Sequence, residues 1–287
     1  MSEPKWAVMP IEHYKAACDK IREKTGKTEP ILSGELADEI DKVDFKKIDV
    51  ENCQDLFAQN RRIELMEHFT FNNITNARGM FIGANRLTKL PEGMVFDNCQ
   101  DAISICRDCT LLAEAPTDWD WHNITGANDA FKGCSNMAGE FITDASNLTS
   151  LAAAFQGTKL TKVVLRNSSK LTNVREFFYG NSTLNYLEID LSSLTDTYTG
   201  NMFSSSPANI ILHGTLAVPL NTTWLPLTAE SAISIITALV DYTGTDKEFT
   251  YTCPFSTGTK ASLEDLGAVA PNGLTWLEFA QSKGWNV

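Results

Sequence analysis

Cationic residues are scarce here relative to anionic ones. The chain of 287 residues holds 24 Lys and Arg against 36 Asp and Glu, a net charge of −12. Nucleic-acid binding needs clustered cations that displace counterions from phosphates, so the balance argues against DNA or RNA as a partner. Histidine is scarcer still. His13, His68, His122 and His213 stand apart, with no HExxH or other metal spacing. There is no GxSxG, P-loop or GxGxxG. Asp118 and Asp120 form an acid pair, but without a shaped cleft two loop carboxylates are solvated groups and not a glycosidase pair. No apolar run approaches the ~20 residues of a membrane helix. Residues 1–10 lack the basic and apolar segments of a secretory signal. These absences predict a chain with no enzymatic activity, cofactor, metal, membrane insertion or export signal.

Disulfides are also not expected. The cysteines are Cys18, Cys53, Cys99, Cys106, Cys109, Cys134 and Cys253, an odd number in a long chain. Cys106 and Cys109 form a CxxC, which suggests zinc. The spacing gives a plainer account, in which Cys109 and Cys134 hold one slot in successive repeats. Cys106 fills a slot held elsewhere by Phe81 and Phe131. Buried Cys then acts as a small hydrophobe.

What the chain has is a repeat of 23–27 residues between about 50 and 218. Phe71, Phe96 and Trp121 recur in step, as do Phe69, Met94 and Trp119, and Asn73, Asn98 and Asn123. Anchor aromatics fall at Phe57, Phe81, Phe131, Phe155, Phe178 and Phe203. Short apolar runs follow: IELME from Ile63, LTKLP from Leu87, LAEAP from Leu112, MAGEF from Met137, LTKVV from Leu160, LNYLE from Leu184 and IILHG from Ile210. Self-similarity at this period predicts an α/β solenoid of about seven coils, each burying its apolar face against its neighbours. Trp119 and Trp121 sit in the regular slots, so they read as core and not as sugar-stacking rings.

The ends are not repetitive. Residues 1–43 read as a helical attachment segment. Ile11, Tyr14, Cys18 and Ile21 recur at helical spacing, and Leu36, Ile40 and Val43 stripe a second short helix after Ser33. Residues 44–226 hold the repeats. Residues 227–287 read as an α/β C-terminal cap. There a helix runs from Thr228 to about Val240, a strand spans 248–252, and a last helix covers about 274–282.

FKGC at Phe131, FYGN at Phe178 and the runs LTKLP and LNYLE resemble the BspA-like leucine-rich repeats of gut bacteria and their phages. The stretch YKAACDKIREKTGKTEPILSGELADEI, residues 14–40, is similar to a leader segment of tail and baseplate proteins of phages that infect gut Firmicutes. The closing SKGWNV resembles the end of such proteins. The resemblance implies a leucine-rich-repeat fold and a virion structural protein, a tail-fibre or baseplate-tip receptor-binding protein. It implies trimers and attachment to other tail proteins through Ile11, Tyr14, Ile21, Leu36 and Ile40. The alternative is a bacterial leucine-rich-repeat adhesin or protein-interaction module. On either reading a host glycan or protein would meet the exposed side of the strands. Lys89, Glu114, Lys162, Arg166, Tyr186, Glu188 and Asp190 are the candidate binding residues there.

Overall fold

Two backbone positions per repeat, four residues apart, adopt the left-handed conformation. They are Asp55 and Gln59, Gly79 and Gly83, Ser104 and Asp108, Asp129 and Gly133, Ala153 and Gly157, then Glu176 and Gly180. These positions belong to a computed structural model that describes residues 19, 48–49, 51–60, 69–195, 202–203 and 207–287 apart from 266 and 268. The expected N-terminal helices, with Ile11, Tyr14, Ile21, Leu36 and Ile40, lie outside the described residues, as does the whole IELME run.

The left-handed pairs shape a compact turn whose amides alternate in direction. The N–H groups of Cys53, Asp55, Phe57 and Gln59 donate to the carbonyls of Asn76, Arg78, Met80 and Ile82 in the next repeat, at 2.7–2.9 Å. Ala77, Gly79, Phe81 and Gly83 donate in turn to Asp101, Ile103, Ile105 and Arg107. The same four-bond step recurs from residues 102–108, 127–133 and 151–157. Intervening amides bond three residues back, as Leu56 does to Cys53 and Ala58 to Asp55. Both sets of backbone donors are therefore satisfied without strands.

Aromatic rings stack inside this ladder. Phe57 lies 5.6 Å from Phe81, Phe131 5.7 Å from Phe155, Phe155 5.7 Å from Phe178, and Phe178 6.2 Å from Phe203, all close to parallel. Cys106 interrupts the column. Near that gap Phe131 packs on Trp119 and Trp121, at 5.9 and 6.0 Å. Both indoles are buried, as their repeat slots predict, and their N–H groups have no acceptor among the described residues. The neighbouring thiols are spent internally: Cys109 Sγ donates to the Phe81 carbonyl and Cys134 Sγ to that of Cys106, each at 3.0 Å. The six described cysteines are free and buried, and no metal-holding cluster occurs among the described residues.

The expected seven-coil leucine-rich-repeat solenoid is not what forms. The described strands are a two-residue parallel pair, β1 (Ile48–Asp49) with β2 (Phe69–Thr70), and one four-stranded parallel sheet. That sheet comprises β3 (Ala138–Asp144), β4 (Lys159–Arg166), β5 (Tyr186–Asp190) and β6 (Asn209–His213), in chain order. Three short helices complete the described elements. Proline supplies a physical reason. LTKLP and LAEAP end in Pro91 and Pro116, which lack the N–H a ladder needs. Pairing starts between Ala113 and Thr88 and between Glu114 and Ala138, and it goes no further.

The last strand is covered by α1 (Ala229–Ala238), N-capped by the Thr228 hydroxyl. Ser231 and Ser234 of α1 accept the edge amides of Ile210 and Leu212, each at 2.9 Å. An open strand edge is a template for aggregation, and here two hydroxyls close it. A second helix, α2 (Thr257–Asp265), was not expected from the sequence. The expected strand at 248–252 is a turn, because Phe249 adopts φ +55°. The last helix, α3 (Trp276–Ser282), starts with a capping box between Thr275 and Glu278. After it, Lys283 Nζ donates to the carbonyls of Ile236, Thr237 and Leu239 at the end of α1, and burial lowers its pKa.

Candidate binding face

Parallel register carries alternate side chains of β3–β6 to the same outer face. One row reads Glu140, Lys162, Tyr186, Asn209. The next reads Ile142, Val164, Glu188, Ile211. The third contains Asp144 beside Arg166, and Asp190 beside His213. The inner face is apolar, with Phe141, Val163, Leu165, Leu187, Ile189, Ile210 and Leu212 buried. The alternation in LNYLEID therefore sets which residues meet solvent, while in LTKVVLR Val164 is buried on the outer face as well.

The outer side chains form a connected network. Lys162 Nζ lies 3.1 Å from Glu140 and sits over the Tyr186 ring at 5.7 Å. The Tyr186 hydroxyl donates to Glu188 at 3.1 Å, and the other Glu188 oxygen meets His213 Nε2 at 2.9 Å. The hydrogen bond to His213 holds Glu188 below the usual carboxylate range, against the opposing effect of partial burial. Burial, then the bond to Glu188, pushes the Tyr186 phenol up. Asp190 accepts from Ser192. Arg166 is exposed and makes no ion pair among the described residues. The middle row holds Ile142, buried Val164 and exposed Ile211, with Glu188 standing between Val164 and Ile211.

Five of the seven candidate residues thus share this sheet face: Lys162, Arg166, Tyr186, Glu188 and Asp190. The other two do not. Glu114 bridges to Ala138 at the foot of β3, and Lys89 pairs with Glu92 in a loop. The sequence reading missed Glu140, Asn209, Ile211 and His213. Their signal was available, because each lies 22 or 23 residues from its neighbour across the sheet. Chemically the arrangement offers hydrogen bonds, the exposed Arg166 cation and exposed Ile211. It has no metal-holding cluster among the described residues.

A family model described as "Mycoplasma protein of unknown function, DUF285" matches residues 33–145 and, overlapping, residues 94–209. Together these run over more than half of the chain. The family is related to BspA-like repeat proteins. No curated protein and no solved structure matches. No helix among the described residues is long and apolar enough to cross a membrane.

Proposed function

We propose, from the premise that the chain belongs to the DUF285 family, that it is a non-enzymatic recognition protein which binds a cell-surface glycan or protein through the outer face of β3–β6. The observation that carries this is the pre-arranged network Glu140–Lys162–Tyr186–Glu188–His213 beside exposed Arg166 and Ile211. Hydrogen-bonding groups locked by their neighbours lose little entropy on binding.

The setting we infer is a phage virion, as a tail-fibre or baseplate-tip component. The likeness of residues 14–40 to tail-protein leaders supports it. Display in several copies, with the N-terminal segment joining a trimer or other tail proteins, would strengthen weak single contacts. A bacterial surface-interaction module is the second reading, and the description of the family as Mycoplasma proteins favours it.

The test uses the fluorescently labelled full chain on a panel of bacterial cells and their extracted surface glycans. The wild type should bind at least one surface. The variant Arg166→Ala with Tyr186→Ala, folded by circular dichroism, should bind it at least tenfold more weakly. Equal binding by the variant, or no binding by the wild type, overturns the proposal.

A further inference from the structure

The C-terminal region holds a second feature, independent of the sheet face. Tyr242, Tyr251 and Trp285 lie 5.5–5.9 Å apart, ring centre to ring centre, and are tilted or edge-on to each other. Trp285 is fully buried, Tyr242 nearly so and Tyr251 partly exposed, so the side of the cluster that a cation reaches is the one Lys247 occupies over the two tyrosines. Two of the rings are fixed from behind. The Tyr242 hydroxyl donates to the Ala217 carbonyl and the Trp285 indole to that of Val240, both at 2.7 Å.

A cation already sits on this cluster. Lys247 Nζ lies 5.6 Å from the Tyr242 ring centre and 5.6 Å from that of Tyr251. Its sequence neighbours are Asp246 and Glu248, yet it makes no ion pair among the described residues. Glu248 is engaged elsewhere and accepts from the Gly244 amide at 2.9 Å. The turn that delivers Lys247 is built to hold it there. Thr245 Oγ1 donates to the Tyr242 carbonyl at 2.7 Å and accepts the Lys247 amide at 3.2 Å. The same turn keeps Phe249 at φ +55° with an exposed ring, a conformation costly for a bulky side chain.

We propose that Tyr242 and Tyr251, backed by Trp285, form a binding site for a methylated ammonium group, and that the chain's own Lys247 competes for it. The negative faces of the rings attract any cation. A trimethylammonium group gives up less hydration than a primary ammonium and covers more ring surface. It therefore gains more from the same two rings. The tether gives Lys247 a high effective concentration, so the site opens fully only when that side chain is displaced or removed.

The experiment titrates choline chloride into the full chain, by calorimetry and Trp fluorescence, for wild type and Lys247→Gln. Lys247→Gln should bind choline at least tenfold more tightly. Neither protein should bind 3,3-dimethylbutan-1-ol, the uncharged carbon isostere. Adding Tyr251→Leu to Lys247→Gln should remove the binding. If Lys247→Gln misfolds, Lys247→Met carries the same comparison. Two further arms separate the sources of the group. Phosphocholine that binds without co-sedimentation of phosphatidylcholine vesicles marks a soluble or polymer-borne ligand, and co-sedimentation marks a lipid headgroup. No gain on removing Lys247, or equal binding of the isostere, overturns the proposal.

Discussion

Removing one ring from the middle of the aromatic column should cost far more than removing one from its end. Phe131 is fully buried and meets four rings: Trp119, Trp121, Phe141 and Phe155. A buried Phe→Ala change costs ~3–5 kcal/mol, from lost transfer energy and the residual cavity. Offset and edge-on ring pairs add ~0.5–1.5 kcal/mol each beyond their area. Ladder bonds on both sides of Phe131 limit collapse into the hole, since its amide donates to Ala154 and the adjoining carbonyl of Ala130 accepts from Cys106. Phe131→Ala is therefore placed at the upper end, about 4–5 kcal/mol. Phe203 is only half-buried and stacks on Phe178 alone among the described rings. Phe203→Ala should cost about 1–2 kcal/mol, because much of its area is already wet. Urea unfolding followed by near-ultraviolet circular dichroism and Trp fluorescence measures both. Equal losses, or a loss below about 2 kcal/mol for Phe131→Ala, would refute the claim that the column is the structural centre.

Two further outcomes follow from the same packing. In a Cys18→Ser chain, no thiol should react with Ellman's reagent at pH 8 until denaturant is added. Burial pushes Cys99 up to about 11 and Cys253 up to about 12, and the remaining four thiols are also buried. Any fast-reacting thiol in the folded chain contradicts this. The Glu188–His213 bond lowers the folded pKa of Glu188. Its contribution to stability is thus present above the unfolded carboxylate range and fades as pH falls through the folded value. For a pair this exposed it amounts to under about 1 kcal/mol. Unfolding free energies from pH 6 to pH 3 should fall less steeply in His213→Ala than in wild type; identical slopes would count against it.

The sequence was legible where periodicity and chemistry agreed. MAGEF, LTKVV, LNYLE and IILHG lie in or overlap β3–β6, and Thr228 caps the helix its position suggests. Reading failed where an apolar run ended in proline, since Pro91 and Pro116 stop pairing that LTKLP and LAEAP otherwise invite. It failed too in the anchor segments. Seven of the twelve left-handed positions there are filled by Asp, Gln, Ser, Ala and Glu, so glycine marks only the corner at Gly83, Gly133, Gly157 and Gly180 and, Gly79 apart, not the position four residues before it. The helix α2 escaped because it buries only Thr259 and Leu263, and its cap is Ser256, whose hydroxyl accepts the Thr259 amide. Within the candidate face, alternation identified the β4 and β5 residues. Partners on β3 and β6 needed the register across strands, which one strand's pattern does not carry.

The one-way ladder of amides also acts as a ruler. Five successive steps, from residues 53–59 to 151–157, each hand four donors to four acceptors of the same geometry, so this stretch is built in whole repeats and not in residues. Excision of residues 76–100 would bring Cys53, Asp55, Phe57 and Gln59 opposite Asp101, Ile103, Ile105 and Arg107, the carbonyls that now serve the following repeat. The offset between donor and acceptor varies from 22 to 24 residues between steps, so the connecting segments absorb small differences in length while the four-bond unit is kept. Such a chain can lengthen or shorten over generations by duplicating its units while the helix-covered end, with Ser231 and Ser234 on the final strand, stays unchanged.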